Sequence, residues 1–323
     1  MILEARNFNM WSADGKDIYV YHWFPTEAET GSPSSSPRAI IQIAHGMAEN
    51  AKRYERLAGA LTAANFAVYA NDHRGHGRTA GSPEELGFSG EDGFHYMTED
   101  MNQLGQVIQE RHSNTPIFLL GHSMGSFLTQ KMMYSYPERY AGFLLSGTCG
   151  KQSMIGIGEK VARLLFKLQG ARHRSMILNG LVFGRYEKIF KPSRTPFDWL
   201  SRDAEEVDKY MNDPDCGVVS STGFFRDFFR LLLEIHRPEQ MALIPLDKPV
   251  YLFSGEADPV GLQGKGVLSL AKMYEELGIQ DVSYKLYPGG RHEILNELNR
   301  EEVTLDVIHW LDQQLPSSSF SSL

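Results

Sequence analysis

The sequence predicts an α/β protein: a mostly parallel central sheet flanked by helices, with a helical segment inserted late in the chain. Three observations carry this. Short apolar runs alternate with amphipathic stretches between residues 39 and 146. Several of these runs end in a glycine-bearing polar loop, and the alternation stops over residues 149–235 before resuming at residue 250. Strands that alternate with helices form βαβ units, whose parallel sheet is covered on both faces.

The elements follow in order. Residues 5–24 read as a hairpin, with Ser12-Ala13-Asp14-Gly15 as the turn and the β-rich Ile18-Tyr19-Val20-Tyr21 in the second arm. The Gly/Ser/Pro-rich residues 30–37 cannot pack a core and read as a surface loop. Residues 39–44 are almost continuously apolar and run into His45-Gly46, which suits a buried parallel strand. A helix over 54–64 precedes a strand at 66–70, which ends at Asp72-His73-Arg74-Gly75-His76-Gly77. A helix over 98–111 precedes a strand at 117–120, which ends at Gly121-His122-Ser123-Met124-Gly125. The next helix stops before Pro137, and a strand follows at 142–146. After the insertion come a strand at 250–253, a helix near 262–277, a strand at 282–286 and a helix near 300–314. The Ser-rich residues 316–323 read as a frayed tail. The expected organisation is a core of residues 1–148 and 236–323, capped by a helical lid of residues 149–235. The lid lies over the carboxyl ends of the strands, where open α/β sheets bind ligands.

Composition narrows the function. The 323 residues suffice for a large core without staples, and Cys149 and Cys216 read as buried small hydrophobes in a reducing compartment. A net charge of −8 argues against a nucleic-acid partner. The N-terminal residues lack the basic and apolar regions of a secretory signal, and no apolar run is long enough to span a bilayer. The expected location is therefore cytoplasmic.

Gly121-His122-Ser123-Met124-Gly125 is the strongest chemical signal. A G-x-S-x-G between an apolar strand and an amphipathic helix is the context of a nucleophile elbow. The turn must be tight enough to thrust the hydroxyl out, and side chains two residues either side would collide, so both positions are glycine. A helix starting at Met124 aims free N–H groups at a developing oxyanion. Serine needs a histidine base oriented by an acid, in the chain order Ser, Asp or Glu, His. Ser254-Gly255-Glu256-Ala257-Asp258-Pro259 offers two carboxylates. Asp258 is the better placed, because a few residues of loop let it reach back, and Glu256 is its rival. Gly289-Gly290-Arg291-His292 lets the chain bend His292 towards the serine. The predicted triad is Ser123, Asp258 and His292, with the backbone N–H groups of Met47 and Met124 as oxyanion donors. His122 is expected to point away from the serine. His45, His73 and His76 read as structural hydrogen-bonders, and His73-x-x-His76 has no third ligand at metal spacing, so no metal is expected. The run Gly261-x-x-Gly264-Lys265 lacks phosphate-loop spacing and reads as a loop entering a helix.

These motifs, together with His45-Gly46-x-x-Glu49-x-x-x-Arg53-Tyr54, resemble the monoacylglycerol lipase and lysophospholipase family of α/β-hydrolases. In the cap, Leu200-Ser201-Arg202-Asp203, Val207-Asp208-x-Tyr210 and Asp213-Pro214 extend the likeness. The resemblance implies the α/β-hydrolase fold and an acyl-enzyme route without a cofactor. It implies a small-molecule partner, a single-chain lipid or other ester. It also implies that Glu49, Arg53 and Tyr210 lie at the polar end of the substrate pocket. Much of residues 150–198 departs from the animal enzymes, which leaves acyl length open.

The cap carries Ile157, Val161, Leu164, Leu165 and Leu168 on one helical face. This stripe is expected to pack on the cap's own core; transient contact with a membrane surface, peripheral to the bilayer, is the second reading. Phe224, Phe225, Phe228 and Phe229 with Leu231 to Leu233 read as a helix buried between cap and sheet. A short-chain carboxylesterase and a serine aminopeptidase on the same fold remain rivals, the latter needing carboxylates to hold a substrate amino group. A non-enzymatic binding protein would have shed the triad, and a dehalogenase would carry a carboxylate at position 123.

Overall fold

The computed structural model describes residues 6–25 and 37–315, so most of the expected loop at 30–37 and the tail from 316 lie outside the described residues. Eight strands form one sheet in the order β1-β2-β4-β3-β5-β6-β7-β8. β1 (Arg6–Trp11) and β2 (Asp17–Trp23) are the expected hairpin, and both β1–β2 and β2–β4 pair antiparallel. Gly15 closes their turn at φ +82°, a left-handed conformation that glycine adopts without a Cβ penalty. All other strand pairs are parallel: β3 (Ala39–Ala44), β4 (Phe66–Asn71), β5 (Ile117–His122), β6 (Gly142–Ser146), β7 (Val250–Gly255) and β8 (Val282–Tyr287). β3 through β7 are buried along their whole length, as their unbroken apolar runs require.

Helices cover both faces. α1 (Glu55–Ala63) and α11 (Arg300–Gln314) pack on one, where Leu57, Leu61, Val303, Val307 and Trp310 meet Ile41, Phe118 and Tyr251. A short turn, α2 (Gly77–Ala80), then α3 (Gly93–Arg111), α4 (Met124–Ser135) and α10 (Lys265–Leu277) bury Met97, Met101, Leu128, Met132, Val267 and Leu270, which lie in the second core cluster with Leu119, Phe143 and Leu145. α3 starts five residues before the periodicity predicts. Contacts from far along the chain hold its first turn: the Gly93 N–H donates to Asp227 at 3.3 Å and Phe94 packs edge-on to Phe224 at 5.0 Å.

Between β6 and β7 the structure holds α5 (Ile155–Gln169), α6 (Met176–Phe183), α7 (Ala204–Asn212), α8 (Thr222–Glu234) and the single turn α9 (Pro238–Met241). Ser175, Asp203 and Ser221 cap α6, α7 and α8 through their side-chain oxygens. α8 is the buried aromatic helix the sequence predicts, with Phe224, Phe225, Phe228 and Phe229 all buried.

The α5 stripe is a correction. Ile157, Leu164 and Leu168 are 54%, 56% and 72% exposed, and Val161 and Leu165 are only half-buried. The face α5 turns inward is that of Gly158 and Ala162, because Phe229 of α8 lies where a Cβ at 158 would sit. Small residues let the two helices close, so Ile157, Leu164 and Leu168 are left facing out while Val161 and Leu165 pack at the edge of the core.

Candidate active site

The strand order reverses at β3, which lies between β4 and β5, so the loops after β3 and β5 border the crevice at the switch point. Ser123 caps the end of β5 at φ 52° and ψ −118°, a conformation a non-glycine residue holds only where its surroundings force it. The forcing is visible in its flanks. A Cβ on Gly121 would strike the Gly125 carbonyl, and one on Gly125 would strike the Ala44 and His45 carbonyls at the end of β3. Both glycines are therefore required by close backbone approach. Met124 opens α4, whose first N–H groups have no intrahelical acceptor.

Asp258 and His292 come from the loops after β7 and β8. Asp258 Oδ1 accepts from His292 Nδ1 at 2.9 Å. Its other oxygen accepts from Ser254 Oγ at 2.7 Å, and Oδ1 also takes the Val260 N–H at 2.8 Å. Glu256 is exposed and has no place in this cluster. Full burial would push the Asp258 carboxyl up, but the His292 charge and these donors hold it below the usual carboxylate range. Burial likewise opposes the His292 cation, yet the Asp258 charge and hydrogen bond, helped by Glu293 and Glu49, raise its pKa above 6.5. Ser123 and His292 line one cavity. A hydrogen bond between them is not among those formed by the described residues, and such bonds often close only around substrate.

Two cavities meet at Ser123. One, of about 280 Å³, is lined by Glu49, His122, Asn179, Glu187, Trp199, Tyr210 and His292 among others. The other, of about 180 Å³, is lined by Phe127, Ile157, Leu181, Phe228, Phe229 and Leu232, with Ser123, Gln152 and Tyr186 its only polar side chains. Met47 borders both and Met124 the second.

Glu49 and Tyr210 thus reach the larger cavity, while Arg53 borders only a small adjoining one. All three are already engaged by the protein. Glu49 accepts the Gly46 N–H, the Tyr54 hydroxyl and Arg53, and the Tyr210 hydroxyl donates to the Ala48 carbonyl.

The structure adds residues that the sequence did not single out. Trp199 stacks on the His292 ring at 5.2 Å. Glu187 accepts the Trp199 N–H on one oxygen, and its other oxygen is buried without a partner among the described residues. His122, expected to point away from Ser123, has its ring 4.8 Å from that of His292, and its Nδ1 meets Ser146 Oγ at 3.1 Å. These contacts join residues of the cap or β6 to loops far away in sequence, so no local pattern announces them.

His45, His73 and His76 are buried behind the β3 loop, with burial holding all three imidazoles neutral; His45 Nε2 accepts the His73 N–H at 2.9 Å. Among the described residues no His/Cys/Asp/Glu group has metal-binding geometry. Cys149 is buried, its thiol pushed up to about 11 by burial, and Cys216 is half-buried; both are free. Lys265 begins α10 after Gly264 in the left-handed region, a loop entering a helix.

Comparison with known proteins places the chain. A family profile described as serine aminopeptidase, S33, matches residues 35–299. The monoglyceride lipase of Homo sapiens is 30% identical over 96% of this chain and 92% of its own length. The monoacylglycerol lipase of Mycolicibacterium smegmatis is 28% identical over 88% of this chain and 91% of its own. Among solved structures, a thermostable carboxyl esterase from Bacillus coagulans, crystallised with glycerol, superposes with a TM-score of 0.87 at 28% identity, covering 96% of this chain and 98% of that one. The chain belongs to the monoacylglycerol lipase family of serine ester hydrolases, on the α/β-hydrolase fold.

Proposed function

We propose that the protein hydrolyses the ester bond of single-chain lipids of the monoacylglycerol or lysophospholipid type, with Ser123, His292 and Asp258 as its triad. The observation that carries this reading is the position of Ser123: it stands on a strained elbow where an almost wholly apolar cavity meets a larger one whose mainly apolar wall also offers Asn179 and Glu187. An ester with a long chain on one side and a hydroxylated alcohol on the other has that division.

In this mechanism His292 takes the proton of Ser123 while the hydroxyl oxygen attacks the ester carbonyl. Asp258 holds the ring so that Nδ1 keeps its proton and Nε2 is the acceptor. The N–H groups of Met47 and Met124 receive the charge that builds on the carbonyl oxygen. The acyl chain lies along Phe228, Phe229 and Leu232. The alcohol leaves through the larger cavity, with the protonated His292 as donor, and the free oxygen of Glu187 accepts one of its hydroxyls. Water then repeats the sequence on the acyl-enzyme.

A second reading concerns where the lipid comes from. Met154, Ile157 and Leu181 both line the apolar cavity and are exposed on the surface, so its mouth opens within the apolar face of the cap. Residues 151–194 also hold ten Lys and Arg against two Glu in a chain of net charge −8. This face suits an anionic bilayer surface from which the cavity draws its substrate.

The test is a panel with purified protein: monoacylglycerols of several chain lengths, a lysophospholipid, short p-nitrophenyl esters and an aminoacyl amide. The amide belongs there because Glu187 would also receive an ammonium group. One lipid class should dominate, and Ser123→Ala should lower kcat by about 10⁴–10⁶-fold with the fold intact. Preferred turnover of the amide would install the aminopeptidase reading instead.

A further inference from the structure

The loop that presents the Met47 N–H and the loop that carries His292 are far apart in sequence, yet buried charges join them. Arg53 donates to Glu293 at both ends of its guanidinium fork, at 2.5 and 2.7 Å, and to Glu49 at 3.0 Å. Glu49 in turn accepts the N–H of Gly46, next to Met47, at 2.5 Å. The three side chains are 9%, 6% and 4% exposed. Outer bonds finish the arrangement: Tyr54 Oη donates to Glu49 at 3.0 Å, and Asn296 Nδ2 donates to Glu293 at 3.1 Å. The cap closes over it, with the Tyr210 ring 4.9 Å from the guanidinium carbon and the Tyr210 hydroxyl on the Ala48 carbonyl.

Two buried carboxylates around one guanidinium carry a net negative charge out of water, which stability alone does not recommend. Substrate binding does not account for the cluster either. Glu49 and Glu293 border the cavity that holds Ser123, but both spend both oxygens on the protein, and Arg53 does not border it. What it does achieve is a rigid, bidentate connection between the two loops whose separation matters in the transition state.

We propose that Glu293, Arg53 and Glu49 form a positioning strut that sets the oxyanion loop at a fixed distance from the loop of the catalytic histidine. The inference rests on the assignment of Ser123, His292 and the Met47 N–H above, and it names residues acting through them rather than on substrate. A donor held by the strut costs no reorganisation when charge develops on the carbonyl oxygen. The strut also stands its negative charge beside His292, favouring the cation that forms there.

The test is steady-state kinetics on Glu293→Gln, which keeps the side chain's size and removes its charge. The kcat should fall roughly 10–100-fold, as misplacement of about an ångström does, with KM within about twofold. The affinity for a trifluoromethyl ketone, which forms an oxyanion adduct with the serine, should fall in parallel with kcat/KM. The acid limb of the pH profile should move to lower pH, because the charge favouring protonated His292 is gone. A raised KM at unchanged kcat would overturn the strut in favour of substrate binding. Unchanged kinetics with only a lower melting temperature would leave the cluster as fold support alone. Should Glu293→Gln not fold, Asn296→Ala and Tyr54→Phe each remove one bond from an end of the strut. Each should give a smaller kcat loss at constant KM, and no loss in either would overturn the idea. Ser123→Ala is run alongside: turnover by that variant sinks the nucleophile assignment, whereas a dead Ser123→Ala with a normal Glu293→Gln sinks the strut only.

Discussion

At the scale of single residues the site is governed by competition between burial and pairing. His292 is buried, which by itself favours the neutral ring, but the Asp258 carboxylate and its hydrogen bond outweigh that and leave the pKa raised. The base must be neutral to accept the serine proton, so activity is lost as pH falls through this value. The acid limb of kcat/KM, which reports the free enzyme, should therefore have its midpoint above 6.5. Asp258→Asn removes the raising charge and frees the wrong tautomer; the limb should move down and kcat fall by about 10⁴-fold. A wild-type midpoint at or below 6.5 would mean that burial outweighs the Asp258 charge and hydrogen bond. The residues behind this prediction were legible early: Ser123 from glycines two positions either side, Asp258 and His292 from their loops after late strands. Trp199, His122 and Glu293 were not, because their roles depend on side chains brought together across the sheet and from the cap.

At the scale of elements, periodicity located α5 but overstated how much of its stripe turns inward: Val161 and Leu165 reach the core, Ile157, Leu164 and Leu168 do not. A hydrophobic stripe states where apolar side chains lie around a helix; it does not state which face the partner can approach most closely. Here α8 presents Phe229, and only a glycine admits it: a Cβ at 158 would lie 2.5 Å from the ring. Gly158→Leu should separate the helices, costing about 1–3 kcal/mol in overpacking. Because Gly158 and Phe229 also line the apolar cavity, the variant should shift preference towards shorter acyl chains. Thermal melting together with a chain-length series checks both. An unchanged melt and an unchanged series would show that α5 does not sit on α8 in solution. By contrast α4 and the strands were fixed by local chemistry, the elbow glycines at one end and unbroken apolar runs at the other. The sequence could place those elements without knowing their neighbours.

At the scale of the whole molecule, the cap brings exposed apolar and basic side chains together. Among the described residues no helix is long and apolar enough to cross a membrane, so any bilayer contact is made by a surface. The cap offers one: Leu164, Leu168, Met176 and Ile177 are exposed, and Lys160, Arg163, Lys167 and Lys188 are exposed with them. Each basic group near an anionic surface contributes about 1 kcal/mol, and the apolar groups add to that once they reach the acyl boundary. At such a surface the acidic remainder of the chain would be repelled, which would orient the molecule with its cavity mouth towards the lipid. Sedimentation with vesicles should therefore show binding to phosphatidylglycerol-containing membranes, weaker binding to phosphatidylcholine alone, and loss of the difference as salt rises. Lys160→Glu with Lys167→Glu should abolish the preference and slow hydrolysis of vesicle-borne monoacylglycerol. Turnover of a short, water-soluble ester should stay unchanged, since neither lysine lines a cavity with Ser123. Equal binding to both vesicle types would remove the orienting role of charge, and a matching loss on the soluble ester would place the defect in the cap's packing rather than at a lipid surface.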